Sequence, residues 1–354
     1  MVLAYLMFLT WAMNDRIEGL GFQRNISRRF AMPCFTGEKQ RETEHLLQLM
    51  LGQAQLLADT FKEKMMSGVS LAEFVAVINE IRANSFEYSF VTNQISEPLG
   101  VAGSIMSWKS EVNSLLLVVD VGAGTSDFSL FRIKYNPDTG ESVSREISGS
   151  TRAITEAGNH LDKLLTEYIL HKGAVTYDDP LYLNIRGALS LEIRHYKEAL
   201  FRDHSLYVTL FGGETVVEVE LEEFLQLESV QSFGNALRSC MLEILETIDP
   251  TWLRTAPFGG MGVALTGGGA ELPMVQDLAR DTLQVQGIEL RLKQTASFPA
   301  WLEEEHHHLK DDYSRVAVSL GGAREQYIMS SGTSYTTGER YATVTLDGYY
   351  TKGN

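Results

Sequence analysis

Leu115-Leu-Leu-Val-Val-Asp120-Val-Gly122-Ala123-Gly124-Thr125-Ser-Asp127-Phe-Ser-Leu-Phe-Arg132 is the stretch on which the fold turns. An unbroken apolar run ends on a carboxylate. Two glycines follow one residue apart, and a second β-prone segment begins at once, which reads as strand, tight turn, strand. Glycine permits positive φ and close approach of another group to the backbone. Successive amides in such a turn form an anion-binding concavity. A carboxylate beside a phosphate repels it unless a cation stands between them. Asp120 and Asp127 therefore predict Mg²⁺, held through water because Mg²⁺ dehydrates reluctantly. Thr125 adds a hydroxyl for phosphate or water. A dinucleotide fingerprint needs a helix after its glycines, and a P-loop needs Gly-Lys-Ser/Thr opening a helix; here a strand follows and no lysine is present. A plain glycine-rich hairpin with flanking Asp has the same look, so the assignment needs a second segment.

Outward from this hairpin, 129–135 and 142–148 predict two more strands of an antiparallel meander, and 159–171 a helix. Residues 175–255 read as an α+β unit with helices over 189–201 and 224–248 and strands over 206–211 and 215–219. Then come a strand at 261–266, a glycine loop at 267–269, a helix at 273–283 and a last helix at 312–328. Upstream, 38–51 and 53–81 are helical, with a turn at Ser67-Gly68. Residues 29–35, ending beyond Pro33, read as a short strand running into a loop. A further strand is expected at 88–95, and a helix at 98–108 with Pro98 in its first turn. After residue 330 the chain is rich in Thr, Tyr and Gly, with a hairpin signal at Asp347-Gly348.

The 354 residues carry a net charge of −16, which argues against a nucleic-acid or anionic-membrane surface. The length suggests two domains or one two-lobed domain. Residues 1–13 (MVLAYLMFLTWAM) are too few to span a bilayer and lack a basic leader, so they predict a buried helix. Cys34 and Cys240 make no disulfide framework; each reads as a buried thiol in a reducing, cytoplasmic compartment. His306-His307-His308 reads as a solvated face, Met65-Met66 as core, and Ser126 and Ser129 lack a nucleophile elbow.

The second segment is Val263-Ala-Leu-Thr266-Gly267-Gly268-Gly269-Ala270-Glu271-Leu-Pro273, strand, triple glycine, helix. Three glycines let the backbone press against a flat ligand, with a helix N-terminus nearby. In this order the two segments resemble the second phosphate motif and the adenosine motif of the actin, heat-shock-70 and sugar-kinase ATPase superfamily. The chain is most similar to the nucleotide-binding domain of DnaK-type heat-shock chaperones. Met32-Pro33-Cys34-Phe35 with Gln40-Arg41 resembles that family's Val-Pro-Ala-Tyr-Phe and downstream Gln-Arg. Glu97-Pro98 is similar to its connecting Glu-Pro, Ala157-Gly158-Asn-His-Leu161-Asp162 to its Gly-Gly-Glu-Asp-Phe-Asp, and Arg315-Val-Ala-Val-Ser-Leu-Gly321-Gly322-Ala323 to its last helix.

The resemblance implies an α/β, actin-like (ribonuclease H-like) two-lobed fold with ATP or ADP and Mg²⁺ in a cleft. It implies lobe I over 1–112 with a helical insert at 53–90, a lobe II core over 113–175 and 256–330, a small α+β subdomain over 176–255, and a tail at 331–354. Glu97, Asp120 and Thr125 would act on the phosphate or the attacking water, and Asp120 and Asp127 near the metal. Gly122, Ala123, Gly124, Thr125, Gly158, Lys197, Gly267, Gly268 and Gly269 would line the nucleotide. The implied activity is slow ATP hydrolysis coupled to lobe closure and to a protein partner. The alternative is a non-hydrolysing or actin-like assembly module forming homo-oligomers. No peptide-binding domain follows 330, so chaperone activity is not expected of this chain alone. The family's first phosphate hairpin and its lysine would lie upstream of Met1, so the first lobe is expected to be incomplete. In the helix that contacts adenine, Lys197 agrees with the family while Arg194, Glu198 and Phe201 depart, and Glu271 replaces the usual Arg.

Overall fold

The computed structural model describes residues 1–22, 28–32, 37–84, 88, 91–105, 111–136, 138, 141–213, 215–304 and 306–323. The expected loop at 33–36, with Cys34, and the expected tail hairpin lie outside them. The chain divides into two compact units, 1–96 and 97–354. Its overall class is α/β with a mixed sheet.

In the first unit the order is α1 (Val2–Gly19), β1 (Arg28–Met32), α2 (Gly37–Thr60), α3 (Leu71–Ala83) and β2 (Val91–Ser96). β1 and β2 pair in parallel, which requires the long crossover that α2 and α3 supply. The sequence suggested two helical blocks around residue 52, yet α2 runs on unbroken. A Cβ at Gly52 would lie 2.1 Å from the Tyr88 ring, so glycine here makes room for packing and does not end the helix. The turn expected at Ser67-Gly68 is present, with Gly68 at φ +96. Ser70 then starts α3 with a capping box, its hydroxyl accepting from the Glu73 amide while Glu73 reaches back. Ser70→Ala is expected to lower stability by about 1 kcal/mol, measurable as a shifted urea midpoint with unchanged slope; no shift would show that α3 is held by packing alone.

The expected burial of residues 1–13 holds for one face only. Met7 joins Leu57, Ala58, Phe61 and Ile81 in a core, and Asn14 is held by Gln55 and Arg28. Tyr5, Phe8, Leu9 and Met13 remain exposed, because the apolar residues run all round the helix and a core lies on one side of it.

The second unit runs α4 (Glu97–Ile105), β3 (Val112–Val121), β4 (Ser126–Asn136), β5 (Glu141–Glu146), β6 (Arg152–Ile154), α5 (Gly158–Lys172), α6 (Tyr182–Asp203), β7 (Ser205–Thr209), β8 (Val216–Glu220), α7 (Leu221–Gln226), α8 (Glu228–Thr247), α9 (Pro250–Arg254), β9 (Gly260–Thr266), α10 (Pro273–Gln276), β10 (Thr282–Val285), β11 (Ile288–Gln294), α11 (Ala300–Glu303) and α12 (Tyr313–Gly322). Among the described residues one seven-stranded sheet has the order β10-β11-β9-β3-β4-β5, with β6 on β4. β3, β4 and β5 form the expected antiparallel meander, and β9 lies parallel between β3 and β11.

One core spans this unit. Leu115, Leu117 and Val119 of β3 pack with Leu161 and Leu165 of α5, Leu189 and Leu200 of α6, and Phe233 and Leu237 of α8. The 176–255 segment therefore shares its core with the sheet. The single helix expected over 224–248 is broken at Leu227, whose ψ of 132 is extended. The helix expected over 273–283 stops at Gln276, passes through a short 3₁₀ turn, and gives way to β10. On the other face α4 packs along α12, each carrying a glycine into the crossing: Gly100 and Gly321. The second unit begins at Glu97, since α4 is bound to α12 and β3.

Candidate functional site

Two carboxylates face each other where the hairpin turns. Asp120 ends β3, and the antiparallel register sets it directly opposite Asp127 of β4. Like charges across a ladder destabilise it, and these are 7% and 1% exposed. Burial first, and Asp127 second, push the Asp120 carboxyl up to about 7. Glu97, the first residue of α4, is also lifted to about 7, by burial and then by Asp120 and Asp127. No hydrogen bond or cation offsets Glu97 or Asp120 among the described residues. The three acids expected from the sequence are thus brought into one electrostatic cluster.

The turn between the strands is short and open. Gly122 N–H donates to the Thr125 carbonyl at 3.0 Å, while Ala123 and Gly124 are exposed. The amides of Ala123, Gly124 and Thr125 donate to no acceptor among the described residues. The turn is pinned from behind by the start of α5: Gly158 N–H reaches the Gly122 carbonyl at 2.9 Å and Asn159 N–H the Ala123 carbonyl at 2.7 Å. With those carbonyls fixed, the loop amides are left as the available donors.

The triple glycine joins the same place. Parallel pairing sets Thr266 beside Asp120. Gly267 has φ +82, and a Cβ there would lie 2.4 Å from Asp120 Oδ1, so both conformation and space demand glycine. A Cβ on Gly269 would meet Val121 Cγ1 at 2.5 Å, whereas Gly268 faces open space. The loop is tied to α12, since Gly267 N–H and the Thr266 hydroxyl both donate to the Ser314 carbonyl, at 3.1 and 3.0 Å. The helix N-terminus expected after these glycines is a single turn, too short to add a useful dipole.

Lys197 of α6 does not stand free as a nucleoside contact. Its Nζ lies 2.6 Å from Asp162 Oδ1 and donates to the Gly158 carbonyl at 3.0 Å, so it braces the start of α5 that pins the 122–125 turn from behind. The sequence did not mark Asp162 or Ser314 as site residues. Asp162 lies one helical turn after Gly158 and closes the 157–162 stretch that carries the resemblance. Ser314 meets Thr266 and Gly267 through a tertiary contact that no spacing announces.

The acid cluster suits a hard divalent cation. Among the described residues no three His, Cys, Asp or Glu side chains form a ready cage, and Mg²⁺ needs none where it keeps most of its water. The histidines at 306–308 stay exposed. Burial pushes the Cys240 thiol up to about 11, with Glu243 adding to it, so it is inert at neutral pH. No described helix is long and apolar enough to cross a membrane. Compared with known proteins, the chain matches no family model and no curated sequence.

Proposed function

We propose that the chain binds a nucleoside triphosphate, ATP, together with Mg²⁺ at the 120–127 hairpin, and hydrolyses it slowly. We read it as a DnaK-like, actin-type ATPase domain. The observation that carries this reading is the juxtaposition of Asp120 and Glu97, two uncompensated carboxylates drawn out of water, with a turn of unused backbone amides. The first suits a cation and the second an anion, and a metal-bound polyphosphate is both. The strand order supports the fold assignment: an antiparallel meander followed by two parallel strands beside its first member is the ribonuclease H-like arrangement.

On this reading the amides of 123–125 would hold phosphate oxygens, and Asp120 and Asp127 would hold Mg²⁺ through water. When bound, the metal supplies neutralisation of phosphate charge. Glu97, lifted to about 7, would be the group near neutrality that accepts a proton from water. Phosphoryl transfer asks a protein mainly for positioning and charge, and Gly267 and Gly269 keep the backbone close to Asp120 and Val121. A protein partner that senses the nucleotide belongs to the same proposal.

The experiment is a thermal melt with Mg·ATP, with and without EDTA. Ligand at about a hundred times its Kd adds roughly 2.7 kcal/mol, or roughly 5–10 °C for a unit of this size. EDTA should remove the shift. Gly122→Val should also remove it, because a Cβ there already lies 3.2 Å from the Thr125 carbonyl. A flat melting temperature in the intact protein would sink the proposal. A shift without phosphate release would instead identify a non-hydrolysing module.

A further inference from the structure

A cleft of about 420 Å³ lies between α8 and the α10 turn, within the size range of small-ligand sites. Gly234 of α8 lets α10 come close, since a Cβ there would lie 3.0 Å from Met274 Cβ; both residues line the cleft. The apolar part of its wall is Val230 and Leu278, which are buried, with Leu225 and Met274 packed against the same core.

The polar part is one face of α8, where Asn235 and Arg238 stand a turn apart. Arg238 is half-buried, and among the described residues it forms neither an ion pair nor a hydrogen bond. That is unexpected in a chain whose net charge is −16. Asp277, the acid of the lining, is already engaged by Arg280 at 2.8 Å. The uncompensated charge of the cleft is thus one guanidinium beside an apolar wall.

A guanidinium takes a carboxylate or a phosphate in two parallel hydrogen bonds. A phosphate ester would bring nearly two negative charges to a single cation, with the Asp277 carboxylate alongside. A carboxylate brings one. We propose that this cleft binds a small monocarboxylate with an apolar body, its carboxylate on Arg238 and its hydrocarbon on Met274 and Leu225. The cleft shares no residue with the 120–127 hairpin, and the inference does not rest on the nucleotide reading.

NMR titration of methionine-methyl-labelled protein with octanoate, octanol and octylammonium tests this. Octanoate should shift the Met274 methyl saturably, with a Kd of about 0.1–1 mM, the range that roughly ten non-hydrogen atoms support. The methyl of Met7, in the core of the first unit, should not move. Octanol should bind about tenfold more weakly, the factor of one charged hydrogen-bonded contact, and octylammonium more weakly still. Arg238→Met keeps the apolar stem and removes the charge. It should weaken octanoate about tenfold, leave octanol unchanged, and melt as wild type without ligand. Asn235→Glu, at an exposed position, offers Arg238 a carboxylate three residues away on the helix, and should also weaken octanoate. An unmoved Met274 methyl, equal affinity for all three compounds, or full octanoate affinity in Arg238→Met would overturn the assignment.

Discussion

At pH 8, Asp120→Asn is expected to melt higher than the wild type, and the gain should shrink steadily below pH 7 and vanish near pH 4. Asp120 titrates near 7 when folded and near 3.8 in a free chain. Between those values the folded state holds a proton that the unfolded state has released. Stability therefore falls as pH rises through this window and levels off above it. Asparagine keeps the shape and removes the charge, so it removes this share of the loss. The distance from 3.8 to about 7, at about 1.36 kcal/mol per pH unit, sets an upper bound of about 4 kcal/mol, and local relaxation around the carboxyl leaves on the order of 2 kcal/mol. That corresponds to roughly 4–8 °C. The same substitution should abolish the Mg·ATP shift. A variant both more stable and unresponsive is the expected signature of a residue kept for function against its own folding cost. Melts across pH 4–9 decide the matter: an Asp120→Asn protein less stable than wild type at every pH would mean the carboxylate is satisfied and not strained. Cation affinity should follow the opposite course, rising between pH 6 and 8 as Glu97 and Asp120 lose protons.

The facing pair Asp120 and Asp127 was legible because it is local. A carboxylate closing an apolar run, a glycine turn and a second carboxylate lie within eight consecutive residues, and the hairpin register makes the two acids face each other. The triple glycine was legible for a related reason, since Gly267 and Gly269 answer to Asp120 and Val121 through one parallel pairing. What escaped was tertiary. Pro273 and the apolar spacing behind it imitate a helix, yet β10 exists because β11 pairs with it from Thr282–Arg291 to Val285–Ile288. Their turn takes positive φ at both Gln286 and Gly287, and Gln is an unusual residue for that position. The family resemblance implies a nucleoside contact for Lys197; its partners in the structure come from α5, whose approach α6 alone does not encode. The exposed side of α1 was missed because an all-apolar helix gives no polar face to orient by.

Gly321→Ala should produce the largest stability loss in the second unit, and Gly187→Ala should do the reverse. Both glycines sit inside helices, where alanine is intrinsically better by about 1 kcal/mol. At Gly187 a Cβ meets nothing within 4 Å, so α6 keeps that gain. At Gly321 it would fall 1.7 Å from the Gly100 carbonyl oxygen and 2.6 Å from the Ser104 amide. These are backbone atoms and cannot rotate away, so α4 and α12 must separate along their whole contact. That opens the packing around Ser104, whose hydroxyl meets Tyr313 at 2.6 Å and whose carbonyl accepts from Trp301 at 2.8 Å. Overpacking costs typically about 1–3 kcal/mol even where side chains give way; against fixed backbone we expect about 3 kcal/mol or more, net of the propensity gain, and a melting temperature lower by roughly 6–12 °C. The damage should reach the site as well. α4 carries Glu97 toward Asp120, and α12 holds the triple glycine through Ser314. Mg·ATP should therefore bind more weakly to whatever Gly321→Ala protein remains folded at low temperature, while Gly187→Ala binds as wild type. Near-equal melting of the two variants would show that the helices do not cross this closely, and the route by which α4 and α12 hold the acids to the glycine turn would have to be abandoned.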